Sequence, residues 1–208
     1  MIRKLQPDIL VDNRLDLDEY SDGADFVTPE QVSPEELNKF EGTYFETCQT
    51  FSGSWGYYRD ENSWKTNHQL LTLLITATSR GGNLILNVGP TARGYFDYRA
   101  QRALDSMGLW MKYNSRAIYG CKQAPKEFAA PENTLLTYNA AGKRLYVHLM
   151  NYNATTLVLP GYKGKIKYAQ FLHDASEVKY KEEGNDVVLS LPANKPNMEI
   201  PVVELLLK

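Results

Sequence analysis

Between residues 44 and 121 the chain alternates a strand-like run with a helical one twice over, and few architectures satisfy that alternation. Residues 44–51 read as a strand leading into Ser54-Trp55-Gly56-Tyr57. Residues 64–80 carry Leu70, Leu71, Leu74 and Ala77 at helical spacing, with Thr66 and Gln69 placed as a capping box and Gly81 as the stop. Residues 83–88 form a continuous apolar run, the pattern of a parallel strand covered on both faces. Residues 98–115 repeat the helical period through Ala100, Ala103, Leu104, Met107 and Met111. Strand, helix, strand, helix is the rhythm of an α/β barrel or open sheet. Barrel enzymes place their chemistry at the C-terminal ends of the strands, where Ser54, Trp55, Asn87 and Gly89 fall.

The flanking segments read differently. Residues 8–13, DILVDN, suggest a short buried strand, followed over 15–43 by a polar, acidic loop containing Gly23, Pro29, Pro34 and Gly42. Long loops after barrel strands are commonly functional. Beyond Gly120 come Pro125, Pro131 and short alternating runs at 135–138, 145–152, 156–159, 166–172, 187–191 and 202–207, separated by AAGK, PGYKG and EEGND turns. These predict antiparallel strands. The change of texture falls at 121–132, which divides the chain into residues 1–124 and 125–208.

Bulk properties exclude several functions. With 23 Lys and Arg against 25 Asp and Glu, nothing attracts a polyanion, so nucleic acid is not an expected partner. No run approaches membrane-spanning length. The opening MIRKLQPDILVDN is interrupted by Gln6, Pro7 and Asp8 and does not read as a signal peptide. Cys48 and Cys121 lack metal-ligand spacing and are expected as two buried thiols, while His68, His148 and His173 are dispersed, so no metal site is expected. The glycines of 81–91 match neither phosphate-binding spacing, which argues against a nucleotide. Asn153-Ala154-Thr155 fits a glycosylation sequon, meaningful only in a eukaryotic secretory context. Fourteen Tyr and three Trp suit sugar faces and an ordinary core equally. At 208 residues the chain is shorter than the roughly 250 of a whole (β/α)8 barrel.

The wording of the motifs is more specific than their periodicity. FETC at 45–48, SWGY at 54–57, WK at 64–65, GGNLILNVGPT at 81–91 and AIYG at 117–120, in this order, resemble the C-terminal part of family 29 α-L-fucosidases. That resemblance implies an α/β plus all-β fold: the closing portion of a (β/α) TIM-like barrel followed by an antiparallel β-sandwich. It implies a retaining exo-glycosidase that hydrolyses terminal α-L-fucosyl bonds of a glycan or glycoconjugate, without metal or cofactor. A periplasmic, secreted or lysosomal location would follow for the full-length enzyme.

Retaining hydrolysis needs two carboxyl groups, a nucleophile and an acid/base. In the family the nucleophile precedes the strand resembled here by LVDNR at 10–14, so no residue of this chain is assigned to it. DFVTPEQ at 25–31 resembles the loop bearing the general acid/base, which carries that role onto Glu30. An acid of this kind works when desolvation and the nearby nucleophile raise its pKa. Glu46 of FETC is the competing candidate, since barrel carboxyls often act at strand ends. Arg14 falls where the family carries an arginine that binds fucose hydroxyls, although NDRW is replaced here by Asp12, Asn13, Arg14 and Leu15. A guanidinium fork still suits vicinal hydroxyls. Trp55 matches the aromatic that packs on the C5-methyl side of fucose. Lacking a nucleophile and half a barrel, the chain is expected to be inactive alone, as a gene fragment, split gene or truncated form. It would self-associate or complement the missing N-terminal portion, with its β half the more autonomous. The alternative is a carbohydrate-binding or structural β-sandwich module, marked by exposed coplanar rings drawn from Tyr138, Tyr146, Tyr152, Tyr162 and Tyr168. A third reading, a barrel glycosidase for another sugar, fits the SWGY and NVGP wording less well.

Overall fold

Strand β1 (Glu46–Thr50) and strand β2 (Asn83–Asn87) pair in parallel, with Glu46 opposite Asn83 and Thr50 opposite Asn87. They belong to a computed structural model that describes residues 2–15 and 23–208. The parallel array continues past β1 as single bridges: Val27 pairs with Phe45, Glu30 with Cys48, and Phe26 with Asp12. The spatial order is therefore residue 12, residues 26–30, β1, β2. Backbone bonds from Val27 N to Tyr44 O (3.0 Å), from Cys48 N to Pro29 O (3.0 Å) and from Gln31 N to Cys48 O (2.9 Å) hold the middle seam. Pro29 has no N–H to return, which keeps this segment from ladder pairing along its whole length.

Three expectations are corrected here. Residues 8–13 are exposed or half-buried, not a buried strand, because only one side of that segment is paired among the described residues. The stretch expected as one long loop contains the extended segment 26–30 and a 3-10 helix, Glu36–Phe40, while residues 16–22 lie outside the described part. Strand β2 is covered on one face only. Leu84 packs beside Val27, Phe45 and Ala77, whereas Ile85 on the opposite face is 46% exposed. Gly82 lets β2 start close against β1: a Cβ there would lie 2.3 Å from the Phe45 ring.

One helical turn, α1 (Ile2–Leu5), precedes the array, and two full helices follow β1 and β2. Helix α2 (Asn67–Ser79) starts on the capping box legible in the sequence: Thr66 Oγ1 accepts from Gln69 N (3.2 Å), and Thr66 N donates to the Gln69 side chain (2.8 Å). Its burial is nearly all-round, from Leu70 and Leu71 through Ile75 to Ser79. A helix buried on every side sits between two layers. Ala77 faces the parallel array, while Leu71 and Ile75 face an antiparallel sheet. Helix α3 (Tyr98–Asn114) starts on Asp97, whose carboxylate accepts from Arg99 N (2.9 Å). Trp110 of α3 is buried and donates its indole N–H to Ile200 O (2.9 Å).

The remaining strands are β3 (Lys122–Gln123), β4 (Thr134–Asn139), β5 (Arg144–Leu149), β6 (Thr156–Leu159), β7 (Ile166–Phe171), β8 (Tyr180–Glu183), β9 (Asp186–Ser190) and β10 (Val202–Leu207). They form two antiparallel sheets, ordered β3-β4-β5-β10-β7 and β6-β9-β8. Leu145, Val147 and Leu149 of β5, with Val203 and Leu205 of β10, share a core with Leu159, Val187 and Leu189 of the smaller sheet. Tyr146 of β5 and Val202 of β10 instead meet Leu71, Ile75 and Trp110. The larger sheet thus covers the smaller sheet with one face and the two helices with the other. Six expected runs coincide with β4, β5, β6, β7, β9 and β10. Strands β3 and β8 carried no apolar alternation, β8 being Tyr-Lys-Glu-Glu at an edge.

Glu204 of β10 is fully buried on the helix side, where Arg116, Arg144 (3.2 Å) and the Gln170 amide (2.6 Å) bind its carboxylate. Arg116 lies in the 3-10 turn Ser115–Ala117, so this cluster fixes the passage from α3 into the sheet. The cysteines are half-buried, not fully buried thiols. Burial pushes the Cys121 thiol up to about 11.

Candidate active site

In a parallel array the strands share one C-terminal end, and most of the singled-out residues gather there. Glu30 closes the interrupted strand 26–30, and Arg14 reaches it with an N–H to carboxylate distance of 2.9 Å. The same guanidinium donates to Thr28 Oγ1 (2.7 Å) and Thr28 O (3.0 Å). Thr28 in turn donates from its backbone N–H and its hydroxyl to Asn13 Oδ1, both at 3.0 Å, and Asp12 accepts from Arg14 N (3.0 Å). Two neighbouring extended segments are thereby locked together, with Arg14 and Glu30 about half exposed on their open face.

Cys48, paired with Glu30, looks onto the same face. Burial raises its thiol pKa; the charge of Arg14 lowers it, and those of Glu46, Glu30 and Asp12 raise it. A thiolate is accordingly disfavoured beside three carboxylates. Glu46 occupies a different place. It is the first residue of β1 and lines a hollow with Leu10, Asp25, Tyr44 and Asn83, at the N-terminal end of the array. Along the strands the two carboxyl candidates are offset by two residues, Glu30 standing opposite Cys48, two beyond Glu46 on β1.

Trp55 lies in the loop after β1 and is 39% exposed. Its carbonyl accepts from the Asn87 amide at the end of β2 (2.7 Å), so the two loops are tied at the strand ends. Gly89 permits that approach: a Cβ there would sit 2.4 Å from Tyr57 N and 2.5 Å from the Gly56 carbonyl carbon. Beneath the loop, half-buried Lys65 donates to Thr50 O (2.8 Å) and Ser52 O (3.3 Å), and burial lowers its pKa. Ser63 Oγ accepts from Gly53 N (2.8 Å), and Glu61 accepts from Ser63 N (2.8 Å).

Arg99, from the first turn of α3, completes the fastening. It donates to Glu61 O (2.8 Å) and Arg59 O (3.1 Å), lies 4.8 Å from the centre of the Trp64 ring, and is held by Asp97 (2.8 Å). Sequence reasoning missed Asn13, Thr28, Lys65 and Arg99 as supporting residues. The WK pair was visible as a motif, but its partners Thr50 and Ser52 are reached through space. Nothing in the sequence signalled Arg99. Among the described residues, no group of three or more His, Cys, Asp or Glu is arranged to hold a metal ion, and no helix is long and apolar enough to cross a membrane.

Comparison with known proteins gives this geometry a context. The sequence model of the Alpha-L-fucosidase family matches residues 1–116. The chain is 38% identical over 78 residues to the plasma alpha-L-fucosidase of Homo sapiens, covering 36% of this chain and 17% of that protein. It is 34% identical over 122 residues to the tissue alpha-L-fucosidase of Bos taurus, covering 56% and 25%. Among solved structures, alpha-L-fucosidase isoenzyme 1 from Paenibacillus thiaminolyticus superposes with a TM-score of 0.85 at 31% identity, over all of this chain and 52% of that one. A Bacteroides thetaiotaomicron alpha-L-fucosidase, solved as a trapped covalent intermediate, shares the fold with a TM-score of 0.84 at 23% identity, over 100% and 51%. The chain spans about half the length of these solved relatives.

Proposed function

The chain belongs to the α-L-fucosidase family, and on that premise we propose that it is the C-terminal portion of a retaining exo-α-L-fucosidase. Residues 1–124 supply the last strands and helices of a (β/α) barrel, except that β3 (122–123) pairs with β4, and residues 125–208 supply the β-sandwich packed behind them. The substrate is a glycan or glycoconjugate ending in α-L-fucose. Glu30 acts as general acid, protonating the leaving oxygen, and then as general base toward water. The nucleophile comes from a barrel strand outside these residues, and the 208-residue chain alone does not turn over.

The observation that carries this reading is the Arg14–Glu30 pair at the C-terminal end of a parallel array, the end where barrel enzymes react. Arg14 holds Glu30 and Thr28 with three N–H groups, which leaves part of its fork for sugar hydroxyls. Trp55 offers a ring to the apolar side of the fucose. Glu46, two residues before the Cys48 that faces Glu30, is assigned a supporting role. The sandwich-module alternative loses its discriminator. Tyr146 and Tyr162 are buried, Tyr138 and Tyr152 pack against the core, and Tyr168 is half-buried.

The test uses the chain joined to, or complemented by, the N-terminal half-barrel. Glu30→Gln should slow fucosides with basic leaving groups about a hundredfold or more, and activated aryl fucosides far less, with azide restoring turnover. Equal losses on both substrates, or the same signature from Glu46→Gln, would transfer the role to Glu46. Fucosidase turnover by the 208-residue chain alone would defeat the reading of it as a portion.

A further inference from the structure

Directly after Glu30 the backbone enters a conformation that needs support. Gln31 has a φ of 51°, in the left-handed region that a residue with a Cβ occupies at a cost. Its N–H still bonds to Cys48 O (2.9 Å), so the seam to β1 is kept through the residue that ends the extended run. Strain of this kind persists where the surroundings hold it, and it gathers at working sites.

The support comes from β1. Gln49 alternates with Phe45 and Thr47 on the buried side of that strand and is only 2% exposed. A buried amide is costly unless it is bonded, and this one donates from Nε2 to Val32 O (2.8 Å). A methionine would fill the same space with no polar group to satisfy, so packing does not call for the amide; holding Val32 does. Val32 packs beside Val27, Leu37 and Phe45. Ser33 N donates to the Glu36 carboxylate (2.9 Å) and Ser33 Oγ accepts from Glu36 N (3.3 Å), which starts the 3-10 helix that buries Leu37. Glu30 is thus bracketed. Thr28, two residues before it, is held by Asn13, and Val32, two residues after it, is held by Gln49.

We propose that Gln49 and Gln31 are positioning residues for Glu30: the buried amide pins the left-handed turn, and the turn sets the direction in which the carboxylate leaves the strand. The bearing on catalysis rests on the fucosidase reading, in which Glu30 delivers the proton. Arg14 meets that carboxylate through one N–H (2.9 Å), and a group held by a single bond can swing about it unless its backbone is fixed. A proton donor has to lie within hydrogen-bond reach of the leaving oxygen. Misplacement on the order of 1 Å costs about a hundredfold in rate.

All of these groups lie within the 208 residues, so the turn is tested first without catalysis. Gln49→Met keeps the side-chain length and removes the donor, and the backbone N–H of residue 31 should then exchange with solvent about tenfold faster. Gln31→Val, whose branched side chain resists the left-handed region, should do the same, while Gln31→Asn, which enters it readily, should exchange as the wild type does. Unchanged exchange in both Gln49→Met and Gln31→Val would overturn the proposal. Where Gln49→Met does not fold, the two Gln31 variants decide by the same measurement. In the enzyme completed by its N-terminal half-barrel, Gln49→Met and Gln31→Val should lower kcat about tenfold on fucosides with basic leaving groups. KM, and turnover of activated aryl fucosides, should stay nearly unchanged, and Gln31→Asn should restore the rate. Equal losses on both substrate types would make the two residues merely structural. A Glu30→Gln enzyme without the leaving-group signature would refute the assignment of Glu30 as the acid, with the exchange at residue 31 still deciding whether Gln49 pins the turn.

Discussion

His148 should make this protein sensitive to mild acid. The imidazole is fully buried between the larger sheet and α3, stacked 6.3 Å from the Trp110 ring. Thr137 Oγ1 donates to Ala117 O (2.6 Å), so its oxygen accepts from His148 Nε2 (2.9 Å). Nδ1 is then the bare nitrogen, and it has no partner among the described residues. Burial drives the His148 pKa from 6.5 to about 3. Above pH 6.5 both folded and unfolded states carry a neutral ring, and the residue exacts no penalty. Below it the unfolded chain takes up a proton that the folded chain refuses, so stability falls as pH drops from 6.5 toward 3. Between pH 7 and pH 5 the loss is about 2 kcal/mol, taken at 1.36 kcal/mol per unit. His148→Gln keeps a donor for Thr137 and does not titrate. Urea unfolding of both proteins, followed by tryptophan fluorescence, cancels the contributions of groups common to the two. The wild-type midpoint should fall by about 1 M more than that of the variant between pH 7 and pH 5. Equal losses, or an imidazole that titrates near 6 by NMR, would refute the argument.

Two further outcomes follow from the packing. Against the expectation of an autonomous β half, a protein beginning at Lys122 would expose Tyr146, Leu172, Val202, Leu135 and Met150, which now lie against α2 and α3. It should bind a hydrophobic dye and self-associate, whereas a monodisperse, dye-silent product would show the β half to be independent. Gly89→Ala should cost about 1–3 kcal/mol, because its methyl overlaps the Tyr57 and Gly56 backbone. Faster hydrogen exchange at residues 55–58 would confirm that the two loops separate, and unchanged exchange would count against that contact.

The helices and most antiparallel strands were legible because their signals are local. Thr66 and Gln69 are three residues apart, and the apolar period of α2 survives in full. What escaped reading depends on neighbours. Residues 26–30 look like loop because Pro29 interrupts the pattern, and they become strand-like only through Phe45 and Cys48. Ile85 reads as a core residue, yet its face of β2 is open. The candidate site shows the same division. Glu30 and Arg14 came from motif wording, whereas the bonds joining them run through Thr28 and Asn13. Arg99 is distant in sequence from the carbonyls it binds, and no periodicity reports such a pairing.

Helix α2 gives the β half a role beyond scaffolding. Its flank rests on Tyr146 and Val202, and its first residues follow directly on Lys65, which grips Thr50 and Ser52 beneath the Trp55 loop. Substitutions under the helix can therefore tilt a rod whose far end carries the Trp55 loop, proposed above to face the sugar. Directed evolution aimed at fucoside preference should recover beneficial changes in β5 and β10 as well as around the mouth. Swapping the β half for that of a distant relative should fail unless α2 is exchanged with it.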